Sequence, residues 1–289
     1  MSQQSITCFI MGGLGNQLFQ IFTLISIAID QNKTFEFSYN ESSQGSVFRP
    51  TYWSNFLSQL KQYTSNDSNF MKKFLIYNES NHHYNEIPYF DKPICIFGYF
   101  QSFKYFQKNI ETIKDMIKIN DLYSNLQPLL NTIIPISKVS ISIHFRVGDY
   151  KNIQDCHPIM NLKYYIDALN HIFSKDLSIN YHLLFFFEET DSDYVHNKFI
   201  LPIRNHKFYG GYKITTQNID HNIEDWNQLL IMSKCNHNII ANSSFSWWGA
   251  YLNNYEYRHI CYPSKWFGPK LANKNTHDMF PPSWNKINC

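Results

Sequence analysis

Short apolar runs alternate with longer stretches of helical spacing along most of this chain. Residues 5–11 form an apolar run that stops at Gly12-Gly13-Leu14-Gly15-Asn16-Gln17, after which Leu18, Phe19, Phe22, Ile25 and Ile29 recur on one helical face. Strand, glycine turn and helix is the predicted order. Residues 33–86 are polar and aromatic with no period and read as short helices and loops. Residues 93–100 (PICIFGYF) predict a second strand, and residues 104–119, with Phe106, Ile110, Ile113 and Ile117 on one side, a helix. Pro128 and Pro135 make the following stretch the candidate linker.

Beyond it the alternation is more regular. Residues 138–145 (KVSISIHF) predict a strand with Val139, Ile141, Ile143 and Phe145 on one face and Ser140, Ser142 and His144 on the other. Helices are expected at 161–173, 191–199, 223–234 and 245–253, and strands at 181–187, 207–209, 238–241 and 259–262. Strands separated by helices imply a parallel sheet covered on both faces. A chain of 289 residues fits two such domains of roughly 140 residues.

Composition narrows the picture. Lys and Arg number 25 against 23 Asp and Glu, a formal charge of +2, which lacks the basic footprint of a nucleic-acid binder. Hydrophobic residues at 44% and aromatics at 17% exclude disorder. Six scattered cysteines without a C-x-x-C pair suggest neither zinc site nor disulfide framework, and so a reducing compartment. The N-terminus lacks a basic leader, and the longest apolar stretch, 18–29, is broken by Gln20, Thr23 and Ser26 and too short for a bilayer. A cytoplasmic protein without a transmembrane segment is expected.

Three motifs carry candidate chemistry. The glycine turn 12–17 opens a helix, where free N–H groups attract anions and polar groups. Its spacing is not G-x-G-x-x-G and no acidic residue follows a second strand, so a polar turn presenting Gly13, Gly15, Asn16 and Gln17 to substrate competes with a dinucleotide site and a purely structural turn. The second motif, His144-Phe145-Arg146-Val147-Gly148-Asp149-Tyr150, lies where a parallel strand ends and ligands bind. Alternation puts His144 and Arg146 on one side, and a guanidinium suits bidentate phosphate recognition; a surface pair with Asp149 is the plainer reading. The third motif, residues 241–250 (ANSSFSWWGA), ends a buried strand and begins a helix that Ser243 or Ser244 can cap, converging hydroxyls and N–H groups on one point.

GGLGNQLFQ, HFRVGDY, EDWNQLLIMSKCNHNIIANSSFSWWGAYL and the closing PSKWF and PPSW, in that order, resemble the alpha-1,2-fucosyltransferases of glycosyltransferase family 11 over essentially the whole chain. The resemblance implies a GT-B type α/β fold, two Rossmann-like domains facing across a cleft. The expected division is an acceptor-side domain over 1–130, a GDP-fucose-binding domain over 136–268 and a tail over 269–289 packing back towards the first domain. It further implies inverting transfer of L-fucose from GDP-L-fucose to a galactose-terminated glycan, at O2, by a metal-independent enzyme without cofactor. The enzyme is expected in the cytoplasm, at most peripheral to a membrane where the glycan is assembled.

Arg146 is then the first choice for the departing diphosphate charge, supplemented by Ser243, Ser244 and the backbone of Phe245; His144 and Asp225 match family positions that contact the nucleotide. Asn16 matches the residue near the reacting hydroxyl; an amide is no base at neutral pH, so a dissociative, oxocarbenium-like mechanism is expected. Asp191-Ser192-Asp193 has the D-x-D form of metal-dependent transferases, yet Arg146 and a helix terminus already offer positive charge, and FFEETDSDY departs from the family's FSDD-like pattern, leaving Glu188 and Glu189 without an assigned role. Acceptor choice is expected in 33–86 and 151–158, with aromatics such as Tyr52 and Trp53 as candidate stacking surfaces. The alternatives are a nucleotide-dependent oxidoreductase built on the glycine turn, a non-catalytic sugar-binding module, and a transferase for another GDP-sugar or acceptor position.

Overall fold

A computed structural model describes residues 5–42, 49–208 and 211–289. The chain divides into two compact units: residues 1–124 with 274–281, and 125–273 with 282–289.

In the first unit, β1 (Ser5–Cys8) runs through the glycine turn into α1 (Leu14–Asp30). Gly13 takes the N-cap position without a side chain to cap with, and Gly12 is left-handed at φ +80°. α1 is buried on nearly every side, including Gln17, Gln20, Thr23 and Ser26, so it is a central helix and not an amphipathic cover. β2 (Thr34–Phe35), β3 (Phe37–Ser38), β4 (Thr64–Ser65), β5 (Leu75–Asn78) and β6 (Ile94–Phe97) follow. One parallel sheet has the order β2-β1-β6-β5, while β3 and β4 pair alone. The strands within 33–86 differ from the expected loops because two-residue strands hold no period, and β5 is an edge with Leu75 and Ile76 exposed. Tyr52 and Trp53, expected as stacking surfaces, are buried, with Trp53 packed on Phe37 at 5.2 Å.

α2 (Ile110–Met116) precedes α3 (Ile119–Ile133). The expected linker is thus helical: α3 runs through Pro128, which removes only the bond that the carbonyl of Ser124 would accept. The division between the units falls beside that carbonyl, between Ser124 and Asn125.

The second unit contains β7 (Val139–His144), α4 (Leu162–Lys175), β8 (Asn180–Phe186), α5 (Ser192–Val195), α6 (Leu201–Asn205), β9 (Lys213–Asn218), α7 (Asp225–Lys234), β10 (His237–Ile239), α8 (Ser244–Tyr251), β11 (Ile260–Pro263) and β12 (Asn285–Ile287). Among the described residues they form a wholly parallel sheet, β12-β11-β10-β7-β8-β9. β7 is buried on both faces, as a covered parallel strand must be. Its polar face is satisfied: the Ser140 hydroxyl donates to Asn236 Oδ1 at 2.8 Å, and Ser142 Oγ accepts from Asn238 Nδ2 at 2.7 Å. Phe145 enters the core and stacks on Phe199 at 5.2 Å.

One expectation for this unit is corrected. Residues 207 and 208 are irregular and Tyr209 lies outside the described residues; the strand is β9, an edge whose half-exposed residues carry too little apolar signal. Of the tail expected over 269–289 to pack back towards the first domain, 274–281 group with the first unit, while β12 extends the second sheet beside β11. No helix among the described residues is long and apolar enough to cross a membrane.

Candidate active site

In the second sheet β7, β8 and β9 follow one another in one direction, whereas β10, β11 and β12 go the other way. The switch lies between β7 and β10, which pair from His237 with Ile141 to Ile239 with Ile143. Crevices at the carboxyl ends of such strands are where open parallel sheets bind ligands. The second and third motifs leave β7 and β10 at this point.

They meet directly. His144 Nδ1 lies 2.9 Å from Ser246 Oγ, 102 residues away in sequence, and the His144 ring packs against Phe245 with centroids 5.6 Å apart. Burial, with Arg146's charge adding to it, pushes the His144 pKa down to about 3, so the ring is neutral. Ser246 escaped the sequence reading because one serine among three in the motif carries no distinguishing signal.

This burial predicts a pH dependence. An unfolded His144 takes up a proton below about pH 6.5 while the folded one resists until about 3, so stability from this residue is present above 6.5 and declines as pH falls through that window. The slope is at most about 1.4 kcal/mol per pH unit. His144→Gln is expected to flatten the melting temperature against pH between 6.5 and 4; an unchanged slope would assign the effect to other groups.

Ser243 stands at the N-cap of α8 with extended backbone, yet neither it nor Ser244 makes the expected side-chain cap. The Ser243 carbonyl accepts the N–H of Trp247 at 3.0 Å, and the first-turn N–H groups before it point out of the helix. Trp247 and Trp248 are fully buried beneath.

Arg146 donates to both Glu188 and Asp149, and its guanidinium lies 5.0 Å above the Tyr150 ring. The pairing with Asp149 foreseen as the plainer reading is therefore present, with Glu188 as a second partner. Those carboxylates are about half exposed, whereas the Arg146 side chain is 16% exposed. They hold the guanidinium charged against burial, the Glu188 charge foremost. Gly148 is left-handed at φ +32°, and a Cβ there would come within 3.0 Å of Glu188 Oε2. Asp191 anchors this turn from within: one oxygen accepts the Gly148 N–H at 2.6 Å, the other Lys151 Nζ at 2.7 Å. The first Asp of the D-x-D sequence is thus buried and engaged, while Asp193 is exposed.

Tyr150 donates to the Asn242 carbonyl at 3.0 Å, and Asn242 Nδ2 donates to Pro158 and Trp266 carbonyls at 2.9 and 3.1 Å. Asn242 therefore ties the segment at Tyr150, which lies beneath Arg146, to those at Pro158 and Trp266. Asp225, expected to contact the nucleotide, sits exposed in the first turn of α7, with a carboxylate oxygen accepting its neighbour Trp226's N–H at 2.7 Å.

In the first unit, connections leave β1 towards β2 on one side while β6 and β5 lie on the other, so the glycine turn also occupies a switch point. Gly12 is required there: a Cβ would lie 2.6 Å from Asn16 Nδ2. Gly13 has no such neighbour, and Gly15 is buried within α1. Gln17, expected to face substrate, is 1% exposed, its amide donating to the carbonyls of Gly12 at 2.9 Å and Pro50 at 2.8 Å. Gln20 accepts from and donates to the Met11 backbone at 2.9 and 3.2 Å, a second brace not foreseen. Of the three amide side chains here, Gln17 and Gln20 are buried and Asn16 is only half-buried.

An arginine and an uncapped helix N-terminus stand at the switch point of a parallel α/β sheet, where positive charge and free N–H groups suit an anionic group. The chain belongs to glycosyl transferase family 11, whose sequence profile matches residues 2–288. It is 30% identical over 192 residues to the O-antigen biosynthesis glycosyltransferase WbnK of Escherichia coli, covering 64% of this chain and 59% of WbnK. To an alpha-1,2-colitosyltransferase of Escherichia coli it is 30% identical over 196 residues, 66% of this chain and 61% of that protein. The match spans about three fifths of either relative's length. Among solved structures, an FUT1 mutant of Arabidopsis thaliana in complex with GDP superposes with a TM-score of 0.51 over 97% of this chain and 76% of its own, at 11% identity. The architecture is of the GT-B-like glycosyltransferase type.

Proposed function

We propose that this glycosyltransferase moves L-fucose from GDP-L-fucose, with inversion, to O2 of a terminal galactose. The observation that supports it most is the meeting of His144, Arg146 and the N-terminus of α8 at the β7–β10 switch point. Glycosyl transfer must stabilise a departing diphosphate. Arg146 exchanges its half-exposed carboxylate partners for the β-phosphate as charge develops, and Ser243, Ser244 and the Phe245 N–H add donors. Neutral His144 holds Phe245 and Ser246 in place. Asn16 orients the acceptor hydroxyl, and leaving-group departure runs ahead of proton loss.

The acceptor side draws support from a cavity of about 370 Å³ in the first unit, beside the carboxyl ends of β1, β3 and β4. Ser38, Asn40, Ser65 and Asn66 offer hydroxyls and amides there, and Tyr39 and Phe70 apolar surface. Such a mixed lining suits a sugar ring. A second reading, a donor carrying a related sugar, is favoured by the relative named a colitosyltransferase.

GDP is expected to raise the melting temperature where UDP and NAD do not, because a ligand bound only to the folded state stabilises it. Incubation with GDP-fucose and galactose-terminated glycans should give a product fucosylated at O2, undiminished in excess EDTA. Stabilisation by NAD alone would favour an oxidoreductase, GDP-fucose binding without transfer a sugar-binding module, and EDTA inhibition a metal role for Asp193.

A further inference from the structure

At the carboxyl end of β6, next to β1, the chain takes a conformation that bulky residues avoid. Phe100 is left-handed at φ +51°, with its ring buried. Glu79, just after β5, holds it there: Oε2 accepts the N–H of Tyr99 at 2.8 Å and Oε1 that of Phe100 at 3.1 Å. Gly98 makes room for this, since a Cβ would lie 2.3 Å from the Glu79 Cβ. On the other side Ser102 donates its N–H to the Phe100 carbonyl at 2.8 Å and its hydroxyl to the Asp278 carbonyl at 2.6 Å. A strained residue braced from both sides marks a place where the backbone is set for a purpose. The residue so placed is Gln101, 9% exposed, whose Nε2 reaches Asn16 Oδ1 at 2.8 Å across 85 residues of sequence.

We propose that Gln101 is a positioning residue for Asn16, resting on the reading of Asn16 as the acceptor-side amide. By bonding to Oδ1 it fixes which way round the Asn16 amide lies, and Nδ2, which has no partner among the described residues, is the group left to donate. Asn16 then acts as a hydrogen-bond donor to a substrate oxygen and does not receive the proton of the acceptor hydroxyl. Glu79, Phe100 and Ser102 keep Gln101 in register.

The test compares Gln101→Glu, which keeps size but loses the amide donors, with Gln101→Leu, Asn16→Ala and the double variant Asn16→Ala/Gln101→Leu in the full chain. Both Gln101 variants are expected to lower kcat for transfer by about 10- to 100-fold, the range for lost supporting hydrogen bonds. The donor KM, the GDP-induced rise in melting temperature and the slow hydrolysis of GDP-fucose by water should stay within about twofold, and the double variant should be no worse than Asn16→Ala. Full transfer by Gln101→Glu, or losses that multiply in the double variant, would overturn the proposal. A crystal structure of Gln101→Leu tests the positioning without turnover: a reoriented Asn16 amide supports it, an unmoved one defeats it. A wild-type chain that does not bind GDP would instead defeat the fucosyltransferase reading and, with it, this role.

Discussion

Arg146→Ala is expected to lower kcat for transfer by about 10³-fold, the scale seen when a preorganised donor to developing charge is removed. GDP affinity should fall far less, because the interaction strengthens as the diphosphate departs. Arg146→Lys should recover only part of the loss: an ammonium cannot fork between two oxygens as the guanidinium, 5.0 Å above the Tyr150 ring, can. The variant should remain folded, since the pairs with Glu188 and Asp149 reach half-exposed carboxylates and are worth about 0–1 kcal/mol each. That same weakness makes them exchangeable for a phosphate. Steady-state kinetics with GDP-fucose, beside GDP titration, check both statements; near-normal turnover in Arg146→Ala would remove it from the reaction.

Trp247→Ala is expected to destabilise the second unit by about 3–5 kcal/mol, the usual cost of emptying a buried tryptophan site. Trp247 has no exposed surface and packs on Tyr251 at 4.7 Å, Trp248 at 5.3 Å and Trp284 at 5.4 Å. A fall in melting temperature of about 10 °C would follow for a unit of this size. GDP affinity should drop as well, because the same ring seats the helix whose first turn carries Ser244 and Phe245. Loss of stability with unchanged GDP affinity at low temperature would separate the core of α8 from its N-terminus.

The regular strands were legible because β7 and β8 are long enough to show period or continuous burial, and the motifs stand where those strands end. What escaped was set by partners distant in sequence. Asp191 read as part of a D-x-D metal signature and Glu188 had no assigned role, yet Glu188 pairs with Arg146 and Asp191 anchors Gly148, a use visible only when β7 and β8 lie side by side. Gln17, in the motif, is buried as a brace, while Gln101, which no motif marks, reaches Asn16. Short strands such as β3 and β4 have too few residues for any pattern, and Pro128 signalled a break that a helix absorbs at the loss of one bond.

The sharing of residues 274–289 between the units bears on how the protein is made. Asp278 is buried against Lys104 and bonded to Ser102 through its carbonyl, so the first unit is completed by residues synthesised long after the rest of it. β12 reaches β11 later still. On the ribosome, where domains ordinarily fold as each emerges, this chain must carry an unfinished N-terminal unit while β7 to β11 of the second sheet are translated. Both units then await the same short stretch, and their completion is tied to one late event in synthesis.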